Sequence, residues 1–310
     1  MARGPVRALS RDAALAVTVA IPTVDRPEAL RRCVRALLEG ERVPAEIVVV
    51  DQGGGAAARD VVAGIAGAPV AVRRVADERR GLSAARNLAL RHAENPIVAF
   101  IDDDCMPSRP WVSALHGAFL ERPAVACVTG PVLPLGPERP GRYAVSSRTG
   151  TVERSFTGDV APWVVGTGGN MAVRRDLLGG GELFDTRLGS GSPGRAGEDI
   201  DLLRRILRSG HEVRYRPAAV VLHERQPLRR RLRSRFGYGH GIGAAGGLWL
   251  RAGDRYAVRM LGQWLALRAA LAWGALRERR IRGCLEEGLV LAGTARGLLY
   301  GAAAAGRRAR

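Results

Sequence analysis

The feature that most restricts this chain is a series of strand-like runs that each end on a carboxylate. VTVAI (17–21) leads to Thr23 and Asp25, EIVVV (46–50) to Asp51, VAVRRV (70–75) to Asp77 and Glu78, and IVAFI (97–101) to Asp102, Asp103 and Asp104. Short β-branched runs of this kind form buried strands. Between them lie helical segments: Pro27 to Leu38, with Leu30, Val34, Leu37 and Leu38 at helical spacing, then Leu82 to about Ala93, then a helix beginning near Pro110. This alternation predicts an α/β fold with a doubly wound, mostly parallel sheet flanked by helices. Such sheets bind ligands beyond the carboxyl ends of their strands, where these acids gather.

Three consecutive carboxylates in FIDDDCMP repel one another, so they imply a cation. Asp102 and Asp104 form a D-x-D pair of the oxygen-donor kind that suits Mg²⁺ or Mn²⁺ shared with a substrate phosphate. A solvated turn is the competing account. Further on, GTGGNMAVRRDLL (166–178) opens with a tight loop at Gly168, Gly169 and Asn170, through which backbone can approach a ligand closely; a plain turn is its alternative. GEDIDLLRRILRSG (197–210) starts a helix with Leu203, Ile206 and Leu207 on one side and Gly210 as its stop. The strands EVRYRP and AVVLHE follow, the second reaching His223, while residues 136–160 read as an irregular, Gly- and Pro-rich excursion.

Composition adds limits. The 310 residues are 46% hydrophobic and 25% charged, which suits a globular chain with a real core. A net charge of +18, carried mostly by Arg, implies anionic company such as nucleotides or an anionic membrane, unless it reflects only a GC-rich coding bias. Cys33, Cys105, Cys127 and Cys284 are scattered without a C-x-x-C pair, so neither a zinc site nor a disulfide framework is expected and a reducing cytoplasm fits. The N-terminal segment lacks a sustained apolar run ending in a cleavage site, and no signal peptide is expected.

Taken in order, IPTVDRPEALRRCVRALL, EIVVVDQGG, RGLSAARNLAL, FIDDDCMP, GGNMAVRR and GEDIDLLRRILRSG resemble the family 2 glycosyltransferases of GT-A fold, over roughly residues 17–225. The resemblance implies inverting transfer of a sugar from a nucleotide diphosphate donor to a hydroxyl acceptor, with Mg²⁺ or Mn²⁺ and no covalent intermediate. It places Thr23 and Asp51 at the nucleoside base, with Asp25 beside them, and Asp102 at ribose or metal. Asp103 falls at the donor, Asp104 is a metal ligand and Arg86 lies near the phosphates. Asp199 resembles the family's base, with Glu198 as its neighbour, and His223 falls where some members supply a third metal ligand. A structural histidine and a helix-capping acid are the alternatives for the last two positions. The usual I-P-T-Y-N-R reads IPTVDR here, so Val24 removes an aromatic and Asp25 replaces an amide.

The expected organisation is an N-terminal extension (1–16), a catalytic domain (17–225) and a C-terminal helical appendage (226–310). The appendage carries most of the Trp, but Arg259, Gln263, Arg268, Glu286 and Arg296 interrupt its apolar stretches, so a transmembrane span is not expected. Its helices either lie on an anionic membrane at the inner face of the plasma membrane, near a lipid-linked acceptor, or pack on the catalytic domain or a second subunit. Rival readings are a nucleotide-sugar binding module without turnover and a basic nucleic-acid binder. The basic residues are interleaved with apolar ones and match no nucleic-acid motif, so no nucleic-acid partner is expected. A sugar-1-phosphate nucleotidyltransferase would need a Gly-rich phosphate loop near the first strand, which is absent.

Overall fold

The structure is a computed structural model that describes residues 15–65, 70–179 and 181–304. The extension expected over 1–16 therefore lies, up to residue 14, outside the described residues. The first half alternates as the sequence predicts, with one further short helix, α2, in the Gly/Ala-rich segment after β2: β1 (Val17–Thr23), α1 (Pro27–Leu38), β2 (Glu46–Asp51), α2 (Ala57–Ala63), β3 (Ala71–Ala76), α3 (Leu82–His92) and β4 (Ile97–Ile101). There follow β5 (Cys105–Pro107), α4 (Trp111–Glu121), β6 (Val125–Thr129), β7 (Val132–Pro134), β8 (Arg142–Tyr143) and β9 (Arg154–Phe156). The second half holds β10 (Asn170–Arg174), α5 (Arg175–Leu178), α6 (Glu198–Arg208), β11 (Glu212–Tyr215), β12 (Val221–His223) and β13 (Gln226–Pro227). Three long helices close the described chain: α7 (Leu228–Arg251), α8 (Tyr256–Arg277) and α9 (Ile281–Ala303).

The main sheet has eight strands in the order β3-β2-β1-β4-β10-β6-β11-β9. Strands β3, β2, β1 and β4 pair in parallel, β10 runs against both β4 and β6, and β9 runs against β11. Alternate side chains of each strand face opposite layers. Val19, Ile21, Ile47, Val49 and Ala99 pack under α1 and α4, against Leu30, Val34, Leu37, Trp111 and Phe119. Ala20, Val48, Val50, Val98 and Phe100 face α3 and α6, against Ala85, Ala89, Leu203 and Ile206. Both faces are covered, which is why the first strands read as unbroken apolar runs.

The excursion over 136–160 is irregular apart from β8 and β9. A second, three-stranded sheet, β5-β12-β7, forms just past the end of β4. Its register sets His223 opposite Cys105, one residue beyond the acidic triplet.

Helices α7 and α9 approach so closely that glycine is required along the seam. A Cβ at Gly239, Gly243 or Gly247 of α7 would collide with the carbonyls of Val290, Thr294 or Leu298. In return, one at Gly293, Gly297 or Gly301 of α9 would strike the carbonyls of Phe236, His240 or Ala244. The paired numbers rise together, so α7 and α9 run parallel, with α8 returning between them. Small residues four apart on both helices allow backbone to touch backbone. Adding a methyl at Gly297 drives it into the His240 carbonyl and should cost about 1–3 kcal/mol, whereas Gly288 has nothing within 4 Å. Urea unfolding of Gly297→Ala should show a lowered midpoint, and Gly288→Ala an equal or raised one through a gain of about 0.5–1 kcal/mol in helix propensity; equal effects at the two positions would contradict this packing.

Candidate active site

One cleft of ≈ 1270 Å³ receives the end of β4, the start of α6, the loop before β10 and the inner face of α7. That volume exceeds the about 300–1,000 Å³ of a site for one small ligand, so two substrates can be accommodated. At its centre is Arg86 on α3, with 1% of its side chain exposed. One guanidinium nitrogen donates to Glu198 Oε1 at 2.8 Å; the other donates to Asp102 Oδ1 at 3.3 Å and to the Gly168 carbonyl at 3.1 Å. The guanidinium also lies over the rings of Phe100 and Phe184, 5.9 and 5.4 Å from their centroids. The acidic triplet and the Glu-Asp pair therefore meet on a single side chain.

The loop before β10 passes through the narrow space between these groups. A Cβ at Gly168 would lie 2.6 Å from Arg86 Nη1, and one at Gly169 would lie 2.9 Å from Asp102 Oδ2. The Gly168 N–H donates to Asp199 Oδ2 at 2.7 Å. Asn170 stands on the same segment, but its wholly buried amide is spent on structure. It donates to the carbonyls of Pro131 and Ala219 at 2.8 and 2.7 Å and accepts from Trp111 Nε1 at 2.8 Å.

Glu198 is buried, and desolvation followed by the like charge of Asp199 pushes its carboxyl upward against the pull of Arg86. Asp199 is half-buried, lines the cleft and accepts from the N–H groups of Gly168 and Ile200. Asp201 points away and is held by Trp249 Nε1 and Arg205 Nε, both at 2.8 Å.

The triplet divides its work. Asp103 accepts from Thr23 Oγ1 at 2.8 Å and Arg26 at 2.9 Å; burial, outweighing these partners, pushes its carboxyl up to about 6. Asp104 gives Oδ2 to Arg26 at 2.9 Å, with Arg230 at 3.5 Å, and turns Oδ1 toward His223 Nε2 at 3.6 Å. Asp102, Asp104, Cys105 and His223 each bring a donor atom within 4.8 Å of the others. Burial holds the Cys105 thiol well above its usual range, which leaves an oxygen and imidazole donor set. His223 Nδ1 sits 2.8 Å from the Glu224 carbonyl; in the neutral ring this contact fixes the proton there and turns the Nε2 lone pair toward Asp104. An imidazole nitrogen and carboxylate oxygens turned toward one another in this way fit a hard cation.

Other expected residues lie apart. Asp51 is buried beside the cleft without lining it: Oδ1 accepts from the Gly53 N–H and Oδ2 from Arg74, both at 2.9 Å. Asp25 is exposed with a left-handed backbone (φ 53) and stands 3.8 Å from Arg80, also off the cleft lining. Gln52, next to Asp51, does line it, bonded to the Gly81 N–H and carbonyl. Arg26, Arg230 and Tyr238 are further lining residues that sequence reasoning missed; Arg26 closes the IPTVDR motif, which was the available signal, whereas Arg230 and Tyr238 carry none.

The α/β sheet carries a DxD exit and an acidic helix start, the architecture of a glycosyltransferase, and residues 18–179 match Glycosyl transferase family 2. The chain belongs to that family. Among its relatives is the pre-mycofactocin glycosyltransferase of Mycobacterium tuberculosis, 32% identical over 253 residues that cover 78% of this chain and 49% of the relative. The chain thus spans about half the length of that relative. Glycosyltransferase AglE of Haloferax volcanii is 26% identical, with 73% and 72% of the two chains covered. Among solved structures, the mannosyltransferase PcManGT of Pyrobaculum calidifontis, in complex with GDP-Man and Mn²⁺, superposes with a TM-score of 0.61 at 22% identity, covering 91% of this chain and 87% of its own. That likeness is one of fold.

Removing the central guanidinium would leave Glu198 and Asp102 facing each other without a cation. Breaking a buried pair in this way costs about 3–5 kcal/mol. Arg86→Leu should therefore lower the urea midpoint well beyond Arg91→Leu, whose guanidinium is exposed; similar midpoints for the two would remove Arg86 from this role.

Proposed function

We propose that this chain is an inverting, divalent-metal-dependent glycosyltransferase that moves a sugar from a nucleoside diphosphate to a hydroxyl acceptor. The observation that carries the reading is the convergence of Asp102 and Glu198 on Arg86, with Asp199 next to them across the cleft from Asp104 and His223. In this reading Asp102, Asp104 and His223 hold Mg²⁺ or Mn²⁺, which when bound supplies positive charge for the leaving diphosphate. Thr23 and Gln52 face the nucleoside end. Arg86 and the Gly168–Gly169 loop bring fixed positive charge and backbone close to the diphosphate and the sugar.

Asp199 is the base. It accepts the proton of the acceptor hydroxyl as the new bond to the anomeric carbon forms and the bond to the diphosphate oxygen breaks. The N–H groups of Gly168 and Ile200 hold its carboxylate in place at the start of α6. Glu198, tied to Arg86, positions that guanidinium and takes no proton from the acceptor. Asp104→Ala should abolish metal-dependent donor binding in a thermal-shift panel of nucleotide sugars with and without Mn²⁺. Asp199→Asn should keep donor binding and lose roughly 10²–10⁴-fold in transfer rate. Equal loss of donor binding in both variants would refute this division.

The same reading extends to the C-terminal helices. Among the described residues no helix is long and apolar enough to cross a membrane. Trp273, Leu276 and Ile281 are nonetheless 61%, 59% and 85% exposed, beside Arg277, Arg279, Arg280 and Arg282. Apolar side chains ringed by arginine suit the headgroup region of an anionic membrane, and this supports a role for residues 226–310 in meeting a lipid-linked acceptor at such a surface. In flotation, the full chain should rise with anionic vesicles and not with neutral ones; no difference between Trp273→Ser/Ile281→Ser and the parent would remove the membrane from the proposal.

A further inference from the structure

The cleft continues beyond Asp199 into a region built by the loop after β8 and by helices α7, α8 and α9. Here its lining changes from acidic to basic and aromatic. Arg148, Arg231, Arg235 and Arg268 line it, as do Trp163 and Trp264. Two carboxylates, Glu286 and Glu287 of α9, stand behind the arginines without lining the cleft. Arg231 grips Glu286 through two bonds of 2.6 Å, and Arg282 reaches the same carboxylate from outside at 3.6 Å. Arg235 reaches Glu287 and stands 3.7 Å from Glu286, while Arg268 bonds Glu287 at 3.3 Å. Among the described residues Arg148 meets no carboxylate, and it is fixed by the Trp163 carbonyl at 2.8 Å. The four lining guanidiniums therefore outnumber the carboxylates behind them.

Their surroundings are drier than a surface. The side chains of Arg235 and Arg268 are 20% and 12% exposed, and the Nε atoms of Arg148, Arg235 and Arg268 are buried with no hydrogen-bond partner among the described residues. Burial, with the nearby charges of Arg235 and Arg148, also pulls the Arg268 guanidinium below its usual range. Excess like charge held half-buried is unfavourable until an anion joins it. Planar guanidinium forks match phosphate in particular.

The neighbouring wall is apolar. Trp163 and Trp264 meet edge to face with centroids 5.3 Å apart, and Arg268 lies 4.3 Å over the Trp264 ring. Leu267 extends this wall, and Leu271, one turn further along α8, carries it out of the cleft; they are 40% and 43% exposed.

We propose that this region is the acceptor subsite, and that it takes an anionic amphiphile: a phosphate-bearing group seated among Arg148, Arg235 and Arg268, with an adjoining apolar portion along Trp163, Trp264 and Leu267. The proposal rests on the transferase reading, since it assigns the second substrate of that cleft. In the other half of the cleft Arg26 and Arg86 are already committed to carboxylates, so donor and acceptor are sorted by charge as well as by shape. The apolar portion can be an aliphatic chain or an aromatic ring.

Isothermal titration of the full chain, without nucleotide or added metal, tests the subsite separately from catalysis. The probes are decyl phosphate below its aggregation concentration, 1-naphthyl phosphate, inorganic phosphate and decyl maltoside. At least one of the two phosphate amphiphiles should bind ten-fold or more tightly than inorganic phosphate and than the uncharged maltoside. Tighter decyl phosphate indicates an aliphatic acceptor, and tighter naphthyl phosphate an aromatic one. Arg148→Gln and Arg268→Gln should each weaken that binding about ten-fold, with circular dichroism and melting temperature confirming folded protein, while Arg91→Gln outside the cleft should leave it unchanged. The bound probe should also persist when a nucleoside diphosphate and Mn²⁺ are added. The subsite is overturned if neither amphiphile exceeds inorganic phosphate, if the Arg148 and Arg268 variants bind as the parent does, or if the nucleoside diphosphate displaces the probe. Failure of donor binding, by contrast, would strike the transferase reading and leave these titrations standing.

Discussion

Arg86 is the interaction on which the centre of this molecule depends. A guanidinium removed from water needs partners for its donors, and here a glutamate, an aspartate and a backbone carbonyl meet both terminal nitrogens of Arg86, while its Nε has no partner among the described residues. Those partners come from the start of α6, the exit of β4 and the loop before β10. A single side chain thus sets the separation between segments that are far apart in sequence. The arrangement also explains why two neighbouring acids of one motif differ so much. Glu198 is turned inward and committed to Arg86, and Asp199 is left facing the cleft with two backbone N–H groups on its oxygens. In the proposed reading, chemistry that needs a mobile proton falls to the second because the first is already occupied.

Close approach is the second constraint, and it acts at two scales. Gly168 and Gly169 let a loop slip between Arg86, Asp102 and Asp199, where any side chain would displace a charged group. The glycine seam does the same for whole helices, pressing α7 onto α9. Gly241 of α7 in turn meets Ala196 and Gly197, and Gly197 adopts a left-handed backbone (φ 88) immediately before Glu198. Through this contact the C-terminal helices bear directly on the turn that presents the acidic pair. Trp249 on Asp201 and Asp254 on Arg204 repeat the attachment further along α6. The helices are therefore part of the cleft's construction, and the arginines they contribute are held at fixed positions.

Much of this was legible in the residues. Strands whose side chains are buried on both faces leave an unbroken apolar signature, so β1, β2 and β4 and the acids at their exits could be read directly. The juxtaposition of the DDD exit with GEDID followed from a resemblance that spans both motifs. What could not be read is long-range and side-chain specific. Asp51 looks like any strand-exit acid, yet Arg74 on the neighbouring strand occupies it, and Gln52 turns toward the cleft instead. Asn170 looks like a loop amide, yet three partners from distant segments absorb it. The excursion over 136–160 gave no periodicity, and Arg148 within it acquires meaning only once α7 and α8 close over that loop. The glycines at intervals of four in α7 and α9 are visible in the sequence, but spacing alone does not say which helix meets which, or in which direction.

The large positive charge takes on a specific meaning in this setting. A basic excess spread over a surface would suit nucleic acid, where many phosphates must be met along a groove. Here many arginines are drawn into organised pairs: Arg26 and Arg230 on the acidic triplet, Arg86 between the two motifs, and Arg231, Arg235 and Arg268 on Glu286 and Glu287. In the first group acids and arginines are nearly matched, so a cation and a diphosphate can enter together with little net change in charge. In the last group the arginines prevail, so an anion is favoured alone. One cleft thereby carries two electrostatic regimes, and Asp199, accepting from two backbone N–H groups, stands between them. In the proposed reading, a proton passed to Asp199 leaves negative charge developing on the acceptor oxygen, beside the guanidiniums of the basic half, which is the environment an attacking oxygen requires.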